Sequence, residues 1–110
     1  MSGKKLKILI CDDQVEECYI LSKYLENCEI ADVCDLAYDG KEALEKIYRL
    51  KPDVVLLDII MPKIDGMSVL RKLNQDNMGN HPSIIVLSSV DTECITNESF
   101  KLGACFYLLK

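Results

Sequence analysis

Three aspartates, one serine and one lysine stand where apolar stretches of this sequence end. Asp12 and Asp13 follow the first such stretch, Asp58 ends another, and Ser88 and Lys110 follow two more. Ligands of an open α/β sheet bind at the carboxyl ends of its parallel strands. If these stretches are parallel strands, three carboxylates, a hydroxyl and an ammonium group meet at one rim.

That set of groups suits phosphoryl transfer. Clustered carboxylates repel one another unless a cation joins them, and oxygen-only ligands suit Mg²⁺. A hydroxyl and an ammonium group can supply hydrogen bonds and positive charge to a transferred phosphoryl group. A carboxylate can act as the nucleophile and form an acyl phosphate. The spacing therefore suggests Mg²⁺-assisted phosphoryl transfer to an aspartate.

Apolar runs and helical spacing predict the elements that position these groups. Strands are expected at Leu6–Cys11, Ile30–Ala37, Val54–Leu57, Ile84–Leu87 and Ala104–Leu109. Helices are expected over Gln14–Cys28, after a capping box that pairs Asp39 with Glu42, from Asp65 to about Asp76, and over Thr92–Leu102. Alternating strands and helices predict an α/β fold, a doubly wound five-stranded parallel sheet with helices on both faces. No helix follows the last strand, so we expect one 1–110 domain that is the N-terminal part of a longer protein.

Composition excludes several classes of protein. The net charge of −5 disfavours binding of this domain to nucleic acid, because a phosphate backbone repels it. The six cysteines include no Cys-x-x-Cys pair and only one histidine accompanies them, so zinc is not expected. Cys11, Cys34 and Cys105 are instead expected to be small buried hydrophobes in a reducing compartment. The apolar runs are too short for a signal peptide or a membrane span, which predicts a cytoplasmic location and no membrane contact.

Four groups of residues lie in order along the chain, each at a predicted strand end. They are Cys11-Asp12-Asp13, Leu57-Asp58-Ile59-Ile60-Met61-Pro62 with Asp65-Gly66, Leu87-Ser88-Ser89, and Gly103-Ala104 leading to Tyr107-Leu108-Leu109-Lys110. Together they resemble the receiver domains of two-component response regulators along the whole chain. The sequence Asp58-Ile59-Ile60-Met61-Pro62 is most similar to that of receivers of sporulation master transcription factors. The resemblance implies a flavodoxin-like strand order of 2-1-3-4-5. It also implies a phosphohistidine donor on a histidine kinase or phosphotransfer protein, and an effector that controls transcription.

The same resemblance implies a role for each site residue. Asp58 would be the phosphoacceptor, and it would bind Mg²⁺ together with Asp13 and the backbone carbonyl of Ile60. Asp12 would act partly through water. For the phosphoryl group itself the implied partners are the Ser88 hydroxyl and the Lys110 ammonium group, with Tyr107 as an aromatic switch that reshapes the Thr92–Leu102 surface.

Two residues are expected to control how long the phosphoryl group persists. In the family, the positions two past the phosphoacceptor and two past the switch hydroxyl flank the path of attacking water. Here they are Ile60 and Val90, and neither can orient a water molecule. Autodephosphorylation is therefore expected to be slow, and the domain is a signalling phosphoacceptor rather than an enzyme.

Other functions fit the residues less well. A flavodoxin-like binding module needs a phosphate-cradling loop after the first strand, where Asp12 and Asp13 would repel the phosphate. An aspartate-nucleophile phosphatase needs a second carboxylate two residues after Asp58, and Ile60 is there. A degenerate receiver, serving only as a protein-interaction module, remains the alternative.

The family's usual proline and final helix after Lys110 are absent, so the core is expected to be partly uncovered. A homodimer formed on phosphorylation is a further expectation.

Overall fold

Parallel strand pairing organises the chain into one five-stranded sheet. The computed structural model describes residues 5–61, 63–76, 82–88 and 93–109. Strands and helices alternate in the order β1 (Leu6–Cys11), α1 (Val15–Glu26), β2 (Ala31–Ala37), α2 (Gly40–Leu50), β3 (Val54–Asp58), α3 (Gly66–Asp76), β4 (Ser83–Ser88), α4 (Glu93–Lys101) and β5 (Ala104–Leu109). The strand order is β2-β1-β3-β4-β5. The predicted doubly wound sheet and its 2-1-3-4-5 order are confirmed.

Helices cover both faces of the sheet, because the central strands are apolar on both sides. On one face α2 and α3 pack their buried side chains on β1, β3 and β4; this larger cluster includes Ala43, Ile47, Val69, Leu70 and Leu73. On the other face α1 packs Cys18, Leu21 and Leu25 on β1 and β2. The larger cluster, which lies under α2 and α3, contains most of the buried hydrophobic side chains.

The predicted helix caps at Asp39 and Asp65 are confirmed. Asp39 Oδ1 accepts a hydrogen bond from the Glu42 backbone N–H at 2.8 Å. The Glu42 carboxylate in turn accepts one from the backbone N–H of Tyr38 at 3.0 Å, which closes the capping box. Asp65 Oδ1 accepts from the backbone N–H of Ser68 at 2.9 Å. These short polar contacts determine where α2 and α3 begin beside the sheet rim.

Local sequence patterns placed the edges of several elements slightly wrong. The first helix is Val15–Glu26 rather than Gln14–Cys28, because the chain turns at Asn27 and Cys28. Val15, expected on the apolar face, is 59% exposed. It lies in the first turn of α1.

The prediction of buried cysteines is right for Cys11 and wrong for Cys105. Cys11 is buried, and burial raises the pKa of its thiol, so it stays protonated and behaves as a small apolar side chain. Cys34 is partly buried, and burial raises its thiol pKa as well. Cys105 is exposed. It lies where the pairing of edge strand β5 with β4 skips one residue, a β-bulge that turns it away from the core.

The sheet face that carries α1 is only partly covered toward β5. Phe106 lies beside Ile85 and Leu108 beside Leu87 in the pairing of these strands. Phe106 is 61% exposed and Leu108 is 50% exposed. The expected partial exposure of the core therefore occurs on this face, among the residues that the structure describes.

The difference between buried and exposed isoleucines gives a first prediction. Ile47→Ala, on the buried side of α2, should lower the free energy of unfolding by about 2–5 kcal/mol, because it leaves a cavity. Ile20→Ala, at a position 66% exposed on α1, should change it by less than about 0.5 kcal/mol. Urea unfolding measures both, and equal losses would contradict the assignment of the core.

Candidate functional site

The carboxyl ends of β1 and β3 bring three aspartates together. These strands are adjacent and parallel, with Cys11 opposite Leu57. Asp12 and Asp13 follow Cys11, and Asp58 is the last residue of β3. One carboxylate oxygen of each aspartate lies within 4.8 Å of the others. The three acidic side chains thus form one cluster at the rim.

Hydrogen bonds hold Asp12 in place at this cluster. Its side chain is almost fully buried, and Oδ1 accepts from the backbone N–H of Gln14 at 2.9 Å. Its own N–H donates to the carbonyl of Ala37 at the end of β2, at 2.9 Å. The Cys18 thiol donates to the Asp12 carbonyl at 3.3 Å. Both the backbone and the carboxylate of Asp12 are therefore oriented before any ligand binds.

A glycine allows the chain to pack closely behind Asp58. The Gly66 N–H, at the start of α3, donates to the carbonyl of Ile59 at 2.7 Å. A Cβ atom at position 66 would lie 2.8 Å from the Cα of Ile59 and would also meet the Asp58 carbonyl. Only glycine leaves that space, so Gly66 allows α3 to begin directly against the backbone of the acidic site.

The electrostatics of the cluster call for a cation. Three carboxylates this close repel, and burial of Asp12 and Asp58 reduces the screening by water. The donors are all oxygens, which suits a hard divalent ion such as Mg²⁺ better than zinc or copper. The residues present therefore fit the Mg²⁺ expected from the sequence.

Ser88 and Ile60 lie at the same rim as the cluster, and Tyr107 lies on a strand leading to it. Ser88 ends β4 and is fully buried, and the residue before it pairs with Asp58. Ile60 is 57% exposed, and its N–H donates to Asp58 Oδ1 at 3.4 Å. Tyr107, on β5 opposite Val86, is half-buried against the larger apolar cluster. The structure thus groups the serine and the isoleucine with the acidic cluster.

Some site and motif residues expected from the sequence lie outside the described residues. They are Lys110 and Val90 of the site, and Pro62 and Ser89 of the motifs. Their roles stay predictions.

The sequence patterns missed a contact between two connecting segments near the site. Lys63, in the connection from β3 to α3, pairs its Nζ with Asp39 Oδ2 at 3.4 Å. The hydrogen bond from the Glu42 N–H, helped by Lys63, outweighs partial burial and lowers the pKa of the Asp39 carboxyl. Asp39 could be recognised as a helix cap, but no local pattern links it to a lysine on another connection.

Comparison with known families decides the class of protein. A family model for the response regulator receiver domain matches residues 8–110. The chain belongs to this family. Receiver domains are signalling phosphoacceptors that bind Mg²⁺ at an acidic pocket and interact with kinases and phosphotransfer proteins.

Solved structures of other receiver domains are similar over nearly the whole chain. The BeF3-activated receiver domain of Klebsiella pneumoniae RstA is 36% identical, with a TM-score of 0.82, and the match covers 94% of this chain and 85% of that one. The Francisella response regulator 1452 receiver domain is 33% identical, with a TM-score of 0.87 and coverage of 96% and 84%. The CheX–CheY–BeF3–Mg²⁺ complex from Borrelia burgdorferi matches at 29% identity and a TM-score of 0.88, covering 98% of this chain and 80% of that one.

The helices of the described residues are 9 to 12 residues long. Within the described ranges, none of them is both long enough and apolar enough to cross a bilayer.

Repulsion within the acidic cluster predicts how charge and metal affect stability. Without divalent ions, Asp58→Asn should raise the free energy of unfolding by about 1–4 kcal/mol, because it removes one charge from the cluster. Mg²⁺ should raise the melting temperature of the wild type and have a much smaller effect on Asp58→Asn.

Asp32→Asn provides the control, because Asp32 is an exposed aspartate on β2 outside the cluster. It should leave the response to Mg²⁺ unchanged. A wild type and Asp58→Asn that respond equally to Mg²⁺ in a thermal melt would contradict metal binding at the cluster.

Proposed function

We propose that this receiver domain accepts a phosphoryl group on Asp58 from a phosphohistidine of a histidine kinase or phosphotransfer protein. The observation that carries the proposal is the cluster of Asp12, Asp13 and Asp58, held at one rim with the buried Ser88 on the adjacent strand. Acidic groups alone could serve a structural role. A nucleophile, ligands for a divalent cation and a hydroxyl at the same rim favour phosphoryl transfer.

The chemistry requires only a displacement at phosphorus. A carboxylate oxygen of Asp58 forms a bond to phosphorus as the bond from phosphorus to the donor imidazole nitrogen breaks. The bonding electrons remain on the imidazole, and the product is an acyl phosphate on Asp58. The short Gly66 contact with Ile59 limits movement of the Asp58 backbone during this step.

Positive charge and hydrogen bonds must stabilise the transferred group. Asp13, Asp58 and the Ile60 carbonyl would hold Mg²⁺, with Asp12 acting partly through water. When bound, Mg²⁺ offsets the charge of the phosphoryl oxygens. The Ser88 hydroxyl would donate to one of these oxygens and the Lys110 ammonium group would pair with another.

The output would pass through Tyr107 and α4. As Ser88 is drawn toward the phosphoryl group, space opens beside it, and Tyr107 turns inward to fill that space. Its half-buried position, packed against the larger cluster, supports such a change. The surface of α4 would then differ between the two states and present a new face to a partner, including a second copy of the domain.

The biological setting we propose is cytoplasmic two-component control of transcription through an effector outside residues 1–110. The net charge of −5 disfavours DNA contact by this domain, so in this proposal the effector binds the DNA. The sequence Asp58-Ile59-Ile60-Met61-Pro62 supports the proposal that the whole protein regulates sporulation.

Intact-mass spectrometry after incubation with acetyl phosphate tests the phosphoacceptor directly. The wild type should gain one phosphoryl group in the presence of Mg²⁺ and none in its absence, and Asp58→Ala should gain none. Asp32→Ala, outside the cluster, should behave as the wild type. A folded wild type that gains no phosphoryl group would refute the proposal and favour a degenerate receiver that acts only as an interaction module.

The apolar residues near the site predict a long-lived phosphoryl group. Ile60 is largely exposed beside Asp58 and offers no hydrogen bond from its side chain to orient water. The double substitution Ile60→Asn with Val90→Glu should speed dephosphorylation by about tenfold, a small part of the roughly 10²–10⁴-fold that a well-placed general base supplies.

Ile60→Val keeps the position apolar and should leave the phosphoryl lifetime unchanged. The decay of the phosphorylated mass over time measures both effects. A double variant that loses its phosphoryl group no faster than the wild type would show that these positions do not control hydrolysis.

A further inference from the structure

The end of β2, the short connection after it and the start of α2 contact the chain on both sides of the acidic cluster. On the Asp12 side of the cluster, the Ala37 carbonyl accepts a hydrogen bond from the Asp12 N–H at 2.9 Å. On the Asp58 side of the cluster, Asp39 and Gly40 contact Lys63 and Ile64, which follow Asp58 in the chain. We propose that Asp39, Gly40 and Lys63 are positioning residues that hold the phosphoacceptor loop, defined as residues 59–61 and 63–65, in the geometry that binds Mg²⁺ and accepts the phosphoryl group.

Gly40 provides a steric contact with this loop. A Cβ atom at position 40 would overlap the carbonyl group of Ile64 and lie 2.7 Å from its Cβ. Backbone cannot yield as a flexible side chain can, so a larger residue at position 40 must push the loop away from α2. Gly40 is buried in the first turn of α2, and its lack of a side chain lets the loop pack against the helix.

Asp39 uses its two carboxylate oxygens for different partners. Oδ1 caps α2 through the Glu42 N–H, and Oδ2 pairs with Lys63 Nζ at 3.4 Å. Lys63 has a backbone φ of 67°, the left-handed region that residues with a Cβ rarely adopt. A lysine held in this conformation and tied to a helix cap restrains the loop at one defined point.

The expected consequence is local rather than global. Lys63 is 66% exposed, and exposed ion pairs contribute little to the stability of a whole domain. The pair can still reduce the motion of a short loop, which carries the Ile60 carbonyl and begins next to Asp58. Loss of the pair should therefore affect Mg²⁺ binding and phosphoryl transfer more than the melting temperature.

Two lysines of this chain make a matched experiment. Lys63→Asn removes the charge and suits the left-handed conformation, which asparagine tolerates. Lys51→Asn is the control, because Lys51 is an exposed lysine with φ of 49° at the other end of α2. Lys63→Arg retains the charge and should restore the wild-type behaviour.

Three measurements on each variant test the proposal. They are the Mg²⁺ dissociation constant, the rate of phosphorylation by acetyl phosphate at saturating Mg²⁺, and hydrogen exchange of the loop and Gly66 amides. In Lys63→Asn we expect about three- to tenfold weaker Mg²⁺ binding and slower phosphorylation, less than the roughly 10²-fold cost of a 1 Å misplacement. Exchange of the loop amides should be faster, with the melting temperature unchanged. Gly40→Ala should show larger changes in Mg²⁺ binding, phosphorylation and loop exchange, together with a lower melting temperature, because its Cβ would overlap the Ile64 carbonyl.

The phosphorylation rate in this test rests on the proposed function, but hydrogen exchange does not. A wild type that is not phosphorylated refutes the proposed function, and faster loop exchange in Lys63→Asn than in Lys51→Asn still supports the positioning role. Equal loop exchange in Lys63→Asn, Lys51→Asn and the wild type overturns the positioning role, whatever the phosphorylation result. The result for Gly40→Ala is used only if a cooperative melting transition shows that the variant folds. If it does not fold, the comparison of the lysine variants decides the test.

Discussion

Three carboxylates within 4.8 Å of one another repel, and the rest of the domain must hold them there. The sheet supplies that force. Asp12 and Asp58 continue two adjacent parallel strands whose apolar residues are buried on both faces, so neither strand can move away without exposing its core. The hydrophobic energy of the sheet thus maintains an arrangement that the charges alone would disperse, and a divalent cation is what this arrangement favours.

The two halves of the cluster are supported in different ways. Asp12 is tied by its own N–H, by its carboxylate and by its carbonyl, all within the start of α1 and the end of β2. Asp58 ends a strand, and an irregular connection leads from it to α3. That connection is supported by close packing at two glycines, Gly40 and Gly66, where a side chain would not fit. The Asp12 half is therefore held by its own hydrogen bonds, and the Asp58 half by packing against the starts of α2 and α3.

The uneven cover of the sheet divides the domain into a supporting face and a more open one. The face under α2 and α3 contains most of the buried apolar side chains. The starts of both helices also lie against the chain near Asp58, Gly40 against Ile64 and Gly66 against Asp58 and Ile59. On the α1 face, toward β5, Phe106 is 61% exposed and Leu108 is 50% exposed. Tyr107 points the other way along the same strand and packs on the larger cluster. A substitution among the buried residues under α2 and α3 would therefore disturb the site more than one at Phe106 or Leu108.

Local chemistry in the sequence was enough to predict most of this protein. Unbroken aliphatic strands can only be buried on both faces, so the sheet type followed from them, and the acidic residues at strand ends then had to share a rim. The caps at Asp39 and Asp65 were also readable, because a cap depends on residues within one turn. Tertiary structure alone decided the exposure of Val15 and Cys105, the close approach at Gly66 and the pairing of Asp39 with Lys63. Each of these depends on which distant segment lies alongside, and no spacing within a single segment of the chain encodes that.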